Sequence, residues 1–348
     1  MEIGIIGAGA ASAAAAYAIQ QDAPNAQCTV LEKSGGVCGR AATRRTDGRY
    51  YDYGANYLKD DDERVLSLVT EHLETDGLVS VSGPIHVFDE DGTVSEGRSE
   101  TERKLTYRTG ITQLAKRLFG ATDATVHRNT RITAIRRDGE HWNLTDGDGD
   151  RWGPYDRLLC NPPAPQTANL LREADWESER RDALLEAARA VEYRTVLTAV
   201  LGYEFELEVP YYALVNTDKH HEVGWIAREE CKPGHVPDGE SVLIVQANDS
   251  WSVERDDDDP TETVAELARL TANVVGDDRL KEPAWTDYHG WRYAQPERGV
   301  DRSAVESAER EGLYCLGDWV AGEGRLHAAL RNGLETGERV AGSVSNGN

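Results

Sequence analysis

The 348-residue sequence predicts an α/β fold in which a parallel-sheet domain is interleaved with a second, α+β domain. Three observations carry this expectation. Residues 2–6 (EIGII) read as a buried strand and run directly into Gly7-Ala8-Gly9-Ala10-Ala11-Ser12, an alanine-rich helix and a second strand at 28–32 (CTVLE). The middle of the chain breaks into short strand-like segments separated by Gly, Pro and Asp turns. Near the C-terminus a strand, Leu313 to Leu316, is followed by Gly317-Asp318 and a helical stretch.

Taken in order, the first helix covers Ser12 to Gln21 and stops at Pro24 and Asn25, which closes a βαβ unit within about 30 residues. Residues 63–75 have the spacing of an amphipathic helix, and 78–105 that of short antiparallel strands. A helix is expected from Thr109-Gly110 to Leu118, then one strand from Ala124 to Ile135 feeding a hairpin. The hairpin continues from Trp142 to Cys160, and its last strand, Arg157 to Cys160, ends at Asn161-Pro162-Pro163. Helices are expected over 176–191 and 260–275, with strands at 194–205, 211–216, 223–228 and 241–247. The last helix is expected from His327 to Val344. Segments 1–57, 106–165 and 285–348 are assigned to the parallel-sheet domain, and 58–105 and 166–284 to the other.

Composition narrows the function classes. The chain carries 62 acidic and 38 basic residues, a net charge of −24, with only seven lysines among the basic ones. Nucleic acid attracts the opposite sign, so it is not an expected partner. The acids are scattered, as in Asp60-Asp61-Asp62, Asp146 to Asp150 and Asp256 to Asp259. This suits a protein kept soluble in concentrated salt, where screening shortens the reach of self-repulsion to about 3 Å. The composition resembles that of proteins from extreme halophiles. No run of about 18 apolar residues suggests a membrane span, and the first segment lacks the basic leader of a signal peptide. The five cysteines, Cys28, Cys38, Cys160, Cys231 and Cys315, form neither a disulfide framework nor a zinc pattern. The expectation is a cytoplasmic protein without a metal site.

The first βαβ unit carries the dinucleotide-binding fingerprint. Gly7 allows a sharp turn, Gly9 allows backbone N–H groups to approach a pyrophosphate, and Ser12 is the third small residue, which lets helix and strand pack closely. The helix start at Ala10 and Ala11 presents N–H groups and a partial positive charge to the phosphates. Glu32, at the end of the second strand, can accept hydrogen bonds from ribose hydroxyls. NAD and FAD share this unit, so the choice rests on the residues that follow.

Those residues are Lys33-Ser34-Gly35-Gly36-Val37-Cys38-Gly39-Arg40-Ala41-Ala42-Thr43, then Tyr51-Asp52-Tyr53-Gly54-Ala55-Asn56-Tyr57. They resemble the flavin amine oxidase superfamily, in which an acid precedes a GGxxGR-type segment and a D-x-G-A-x-(Tyr/Phe) segment runs along the flavin. The resemblance implies a Rossmann-like FAD-binding domain of the two-dinucleotide-binding type, with an interleaved α+β substrate domain. It implies non-covalent FAD, with Lys33, Gly39, Arg40, Ala41, Ala55, Asn56, Tyr57 and Ile132 against the cofactor. Gly317-Asp318 resembles that family's second fingerprint, whose carboxylate meets the ribityl chain. Leu326-His327-Ala328 then aligns with the helix start that faces the flavin pyrimidine, although His327 and Ala328 stand where Glu-Gly is common. Within the superfamily, Trp291-Arg292-Tyr293-Ala294-Gln295-Pro296, Asn161 to Gln166 and Gln246 to Ser252 resemble renalase and its bacterial relatives. Those enzymes oxidise reduced nicotinamide isomers and pass the electrons to oxygen.

Hydride transfer to a flavin requires positioning and exclusion of water more than acid–base groups. Tyr57 and Trp291 are the candidate aromatic walls of the substrate pocket, and His327 the candidate flavin-tuning residue or proton relay. Trp225 could face the flavin, and Arg292 could meet a substrate or pair with a surface acid. Classical monoamine oxidases also place a lysine near flavin N5; Lys219, Lys232 and Lys281 are available, but none sits in a recognisable motif. The alternatives are a primary-amine oxidase or desaturase-type flavoenzyme on the same fold, and a non-catalytic FAD-binding protein.

Overall fold

The computed structural model describes residues 1–97 and 102–345. Five parallel strands form the first sheet, in the order Thr125–His127, Gln27–Leu31, Glu2–Ile6, Arg157–Cys160 and Leu313–Cys315. A parallel sheet is covered on both faces, which explains why its strands read as apolar runs and not as alternations. Ile3, Ile5, Leu158, Leu159 and Leu313 have no exposed surface.

One face of this sheet meets the helix Ala10–Asp22, whose alanines let a second helix, Leu326–Ser345, come very close. A Cβ on Gly333 would stand 2.2 Å from the Ala11 carbonyl oxygen, and one on Gly337 would stand 2.5 Å from that of Ala15. Backbone oxygens cannot swing aside as a flexible side chain can. Gly333→Ala is therefore expected to cost about 1–3 kcal/mol by forcing the helices apart. Urea unfolding measures this, and an unchanged midpoint would show that the helix pair has room to spare.

The second large sheet has seven strands, in the order Trp285–Pro296, Tyr193–Tyr203, Ser241–Ala247, Val223–Arg228, Ala213–Asn216, Ile85–Phe88 and Val94–Ser95. All neighbours are antiparallel except Ala213–Asn216 with Ile85–Phe88. The helix Pro260–Val275 covers one face through Val264, Leu267 and Ala268. The other face, through Val200, Ala227 and Ile244, packs on Tyr51 and Tyr53. That contact brings the second sheet over the first domain and makes one wall of the cleft described below.

Two sequence expectations need correction, and some elements were not anticipated. The single strand expected over 124–135 is two, Thr125–His127 in the parallel sheet and Ile132–Asp138 in a hairpin. Asn129 breaks it with φ +59, and the amides of Asn129 and Thr130 donate to the carbonyls of Ser34 and Glu32. The helix expected over 63–75 is α-helical only at Glu63–Ser67, then widens so that Leu73 N–H donates to Leu68 C=O. The helix expected over 176–191 is present as Glu179–Arg189, capped by the Ser178 hydroxyl, and Ala164–Arg172 before it is a further helix that was not expected. Trp285–Pro296 is a 12-residue strand that the sequence reading did not anticipate. Of the strands expected over 78–105, Leu78–Ser80, Ile85–Phe88, Val94–Ser95 and Lys104–Tyr107 are present, and 98–101 lie outside the described residues.

Candidate active site

A cleft of about 1250 Å³ opens at the C-terminal ends of the parallel strands, where Ile6, Leu31, Asn161 and Gly317 line it. Its floor is built by the first turn. Gly7 takes φ +88, a left-handed conformation that costs glycine little. At Gly9 a Cβ would lie 2.4 Å from Asn161 Oδ1, so glycine lets the chain pass the asparagine without displacing its side chain. No side chain caps the helix Ala10–Asp22 and no acid occupies its first turn, which leaves its N-terminus open to an anion. Ser12 is fully buried and does not line the cleft; it is the close-packing residue of the turn.

Glu32 lines the cleft with both carboxylate oxygens already held. One accepts from Ala8 N–H and the other from Ser34 N–H, each at 2.7 Å. Each oxygen keeps a second lone pair for a hydroxyl. Lys33, Gly39, Ala41, Ala55 and Ile132 also line the cleft. Cys38 does too, but burial pushes its thiol up to about 12, so it stays protonated and unreactive.

Arg40 and Asp318 were expected at the cofactor separately, and the structure joins them. Arg40 Nη1 and Nη2 donate to the two Asp318 oxygens at 2.8 and 2.7 Å, and Nη1 also reaches the carbonyls of Tyr293 and Ala294. Burial alone works against the guanidinium charge, but Asp318 outweighs it and raises the Arg40 pKa. The pair ties the glycine-rich segment to the C-terminal fingerprint and to the strand Trp285–Pro296. Gly317 N–H donates to Asn332 Oδ1 at 2.8 Å, which fixes the turn ahead of Asp318.

The far end of the cleft is aromatic. Trp291 stacks on Tyr53, with centroids 5.1 Å apart and planes at 24°, and donates from Nε1 to the Tyr53 carbonyl. His289 stands edge-on to Trp291 at 4.1 Å and to Tyr53 at 5.3 Å. All three line the cleft. His289 and Tyr53 were missed as site residues. The signal for His289 was its place two residues before Trp291, since alternate residues of a strand share a face.

Other candidates lie elsewhere. Tyr57 packs against Tyr212 and Trp225, and Asn56 accepts from Trp225 Nε1 at 3.2 Å; none of these four lines the cleft. Leu326 and Ala329 face the cleft, whereas His327 and Ala328 are buried away from it. Helix geometry explains the correction, because residues three apart share a face and those between turn aside. The His327 ring is buried outside the cleft lining, with Nε2 3.5 Å from Glu323, so the structure does not bring it to the cleft as the flavin-tuning residue or proton relay. Arg292 is exposed at the mouth of the cleft and pairs with Asp256 at 2.8 Å.

Beneath the aromatic wall lies a buried charge network. Lys232 Nζ is 3.1 Å from Asp52 and 2.6 Å from Glu229, and His235 Nδ1 is 2.8 Å from Glu229; all four side chains have no exposed surface. His235 Nε2 meets the Tyr107 carbonyl at 2.9 Å. The ligand atoms of Asp52, Glu229 and His235 lie within 4.8 Å of one another, but the Lys232 ammonium already binds both carboxylates where a metal cation would. The other two lysines weighed for flavin N5 do not line the cleft: Lys281 pairs with Asp278, and Lys219 sits in a turn with φ +63. Lys33 is the only lysine among the described residues that line the cleft.

Residues 96–341, well over half of the chain, match the family model of flavin containing amine oxidoreductases, and residues 5–72 match that of the NAD(P)-binding Rossmann-like domain. The chain belongs to the flavin containing amine oxidoreductase family. It is an FAD-dependent oxidoreductase, and the uncapped helix start, the Gly9 passage and the Glu32 carboxylate fit that cofactor.

Solved structures share the fold across nearly the whole chain. An Exiguobacterium sp. 255-15 protein assigned as a protoporphyrinogen oxidase superposes with TM-score 0.78 at 14% identity, covering 100% of this chain and 99% of its own. Wild-type putrescine oxidase bound to putrescine gives 0.74 at 12%, covering 99% of each chain. Reduced UDP-galactopyranose mutase gives 0.77 at 12%, covering 98% and 96%. No helix of the described residues is long and apolar enough to cross a membrane.

Proposed function

We propose that this chain is a renalase-like oxidase that takes a hydride from a reduced nicotinamide isomer, or a similar amine or heterocycle, and returns the electrons to oxygen. The observation that carries this reading is the cluster of Tyr53, His289 and Trp291 at the cleft, a stacked Tyr–Trp pair with the imidazole edge-on beside it, which offers an aromatic surface with a polar edge to a heteroaromatic ring. Among the described residues the only lysine along the cleft stands beside Glu32, in the segment assigned to the dinucleotide, which supports this reading over a monoamine oxidase with a lysine at the flavin ring.

The bound flavin supplies the hydride-accepting and oxygen-reducing chemistry, without a covalent link in this reading. The chain's own residues hold and orient. The helix start at Ala10 and Ala11 faces the pyrophosphate, Glu32 takes the ribose, and the Arg40–Asp318 pair closes the groove beside the ribityl chain. Trp291 and Tyr53 fix the substrate plane and keep water from it. Segments 1–57, 106–165 and the tail from 297 make the flavin domain; the strand Trp285–Pro296, grouped with them from the sequence, pairs with Tyr193–Tyr203 and goes with the second sheet. The free state of all five cysteines supports a reducing, cytoplasmic setting. The net charge of −24 supports a salty one, so that activity is expected to fall on dilution of potassium chloride.

Trp291→Ala removes the larger part of the wall and is expected to lower kcat/KM for 2- and 6-dihydro isomers of NADH by about tenfold or more. Peroxide release in air measures it. An unchanged value with those isomers contradicts the substrate site placed here, and oxidation of amines in their place favours the amine oxidase reading.

A further inference from the structure

The strand Trp285–Pro296 carries a ladder on one face. Asp287, His289 and Trp291 alternate along it and meet Arg44 and Tyr51 of the hairpin formed by Thr43–Thr46 and Arg49–Asp52, and Tyr53 just after it. Arg44 Nη1 donates to Asp287 at 2.7 Å and to the Tyr288 carbonyl at 3.1 Å, and its guanidinium lies 4.3 Å above the Tyr53 ring. Its remaining arm, Nη2, stands 3.2 Å from His289 Nδ1.

A guanidinium only donates, so Nδ1 must accept and the ring proton must reside on Nε2. Nε2 has no hydrogen bond to any described residue. His289 lines the cleft beside Trp291, half-buried, so the ring offers one N–H donor and no charge at the edge of the aromatic wall. Burial, with Arg44 alongside, lowers the His289 pKa to about 4, against the smaller pull of Asp287, which keeps the ring neutral near pH 7.

We propose that His289 is a specificity-determining residue, whose Nε2–H donates to a carbonyl oxygen on a planar heteroaromatic substrate held against Trp291, with Arg44 as the positioning residue that fixes the tautomer. A carboxamide-bearing ring is the substrate class this selects. Rings of the same shape without that carbonyl leave the donor unpaired and bind more weakly. The inference rests on the oxidase reading above and narrows its substrate.

The probes are nicotinamide, which carries the carbonyl acceptor, and 3-methylpyridine, which keeps the ring nitrogen but lacks the carbonyl. Both are titrated into the flavin-loaded protein and followed by the shift of the flavin absorption band and by tryptophan fluorescence. His289→Phe is expected to weaken nicotinamide by about tenfold and 3-methylpyridine by less than about twofold, the worth of one hydrogen bond. His289→Gln keeps an N–H donor and is expected to retain most of the nicotinamide affinity. Nitrogen-15 NMR of the wild-type ring is expected to show Nε2 protonated and Nδ1 bare, and Arg44→Gln to mix the two tautomers.

Equal losses for both probes in His289→Phe, no nicotinamide binding by the wild type, or a wild-type ring protonated on Nδ1 each overturn the proposal. The two readings fail separately. Flavin reduction by amines alone sinks the nicotinamide-isomer assignment, whereas equal probe losses alongside reduction by the isomers sink the role of His289.

Discussion

Replacing Lys232 by methionine is expected to destabilise the protein by about 3–5 kcal/mol, because it strands two carboxylates in a site with no solvent. Asp52 and Glu229 each lose their ammonium partner, and their side chains have no exposed surface. Asp52 also accepts from Thr43, Thr106 and Ile111 N–H, which are donors from three separate segments. Adding Glu229→Gln to Lys232→Met is expected to recover part of the loss, since it removes one of the uncompensated charges. Denaturant unfolding of the single and double variants measures this. A single-variant loss under about 1 kcal/mol would mean that the buried pair is matched by packing alone.

The pH dependence follows from the same network. Burial pushes the Asp52 carboxyl up, but Lys232, His235 and the Thr43 hydroxyl outweigh it and hold the pKa below the ordinary value. Burial pushes Lys232 down, but Asp52 and Glu229 outweigh it and raise the pKa. A depressed acid stabilises above its unfolded pKa and loses that contribution as pH falls through the folded value. A raised base stabilises below its unfolded pKa and loses it as pH rises through the folded one. The contribution of this pair is thus flat between about pH 4 and pH 10 and fails only outside that window.

The second large effect concerns the cofactor. Asp318→Ala leaves Arg40 without its two charge-assisted bonds at the wall of the cleft, where Asp318 itself is only 7% exposed. Such bonds are worth about 1.5–3 kcal/mol, so flavin binding is expected to weaken by at least about tenfold. Flavin retained per protein after gel filtration gives a first measure, and fluorescence titration of the apoprotein gives the affinity. Retention equal to wild type would show that the pair braces the two fingerprints without serving the cofactor. Arg40→Ala separates the partners, and the double variant shows how much of each loss is shared.

Much of the fold was legible because local chemistry and tertiary role coincide there. The turn Gly7 to Ser12, the helix after it and Glu32 at the strand end form one contiguous unit, and they stand together as the spacing implied. Most strands of the second sheet were legible from turns alone. The strand Trp285–Pro296 was not, since its charged and aromatic residues follow no simple alternation of apolar and polar. The aromatic wall was half legible: Trp291 was singled out from a motif, but His289 and Tyr53 join it through pairing across segments over 200 residues apart.

Tyr57 shows the opposite failure. Its motif lies beside the cleft, but the ring turns into the Tyr212–Trp225 cluster under the second sheet. His327 fails for a simpler reason, being one position along the helix from the face that meets the cleft. The network of Asp52, Glu229, Lys232 and His235 was invisible because it assembles from residues 52 and 229–235, and sequence alone could not bring them together.

The central claim is the substrate class, and anaerobic stopped-flow of the flavin-loaded protein in concentrated potassium chloride tests it most directly. NADH, NADPH, their 2- and 6-dihydro isomers and a panel of primary amines are mixed in turn while the flavin band is followed. Fast bleaching by the isomers, with NADH, NADPH and the amines slow, is the predicted result. Fast bleaching by the amines alone, or by none of these donors, would contradict it.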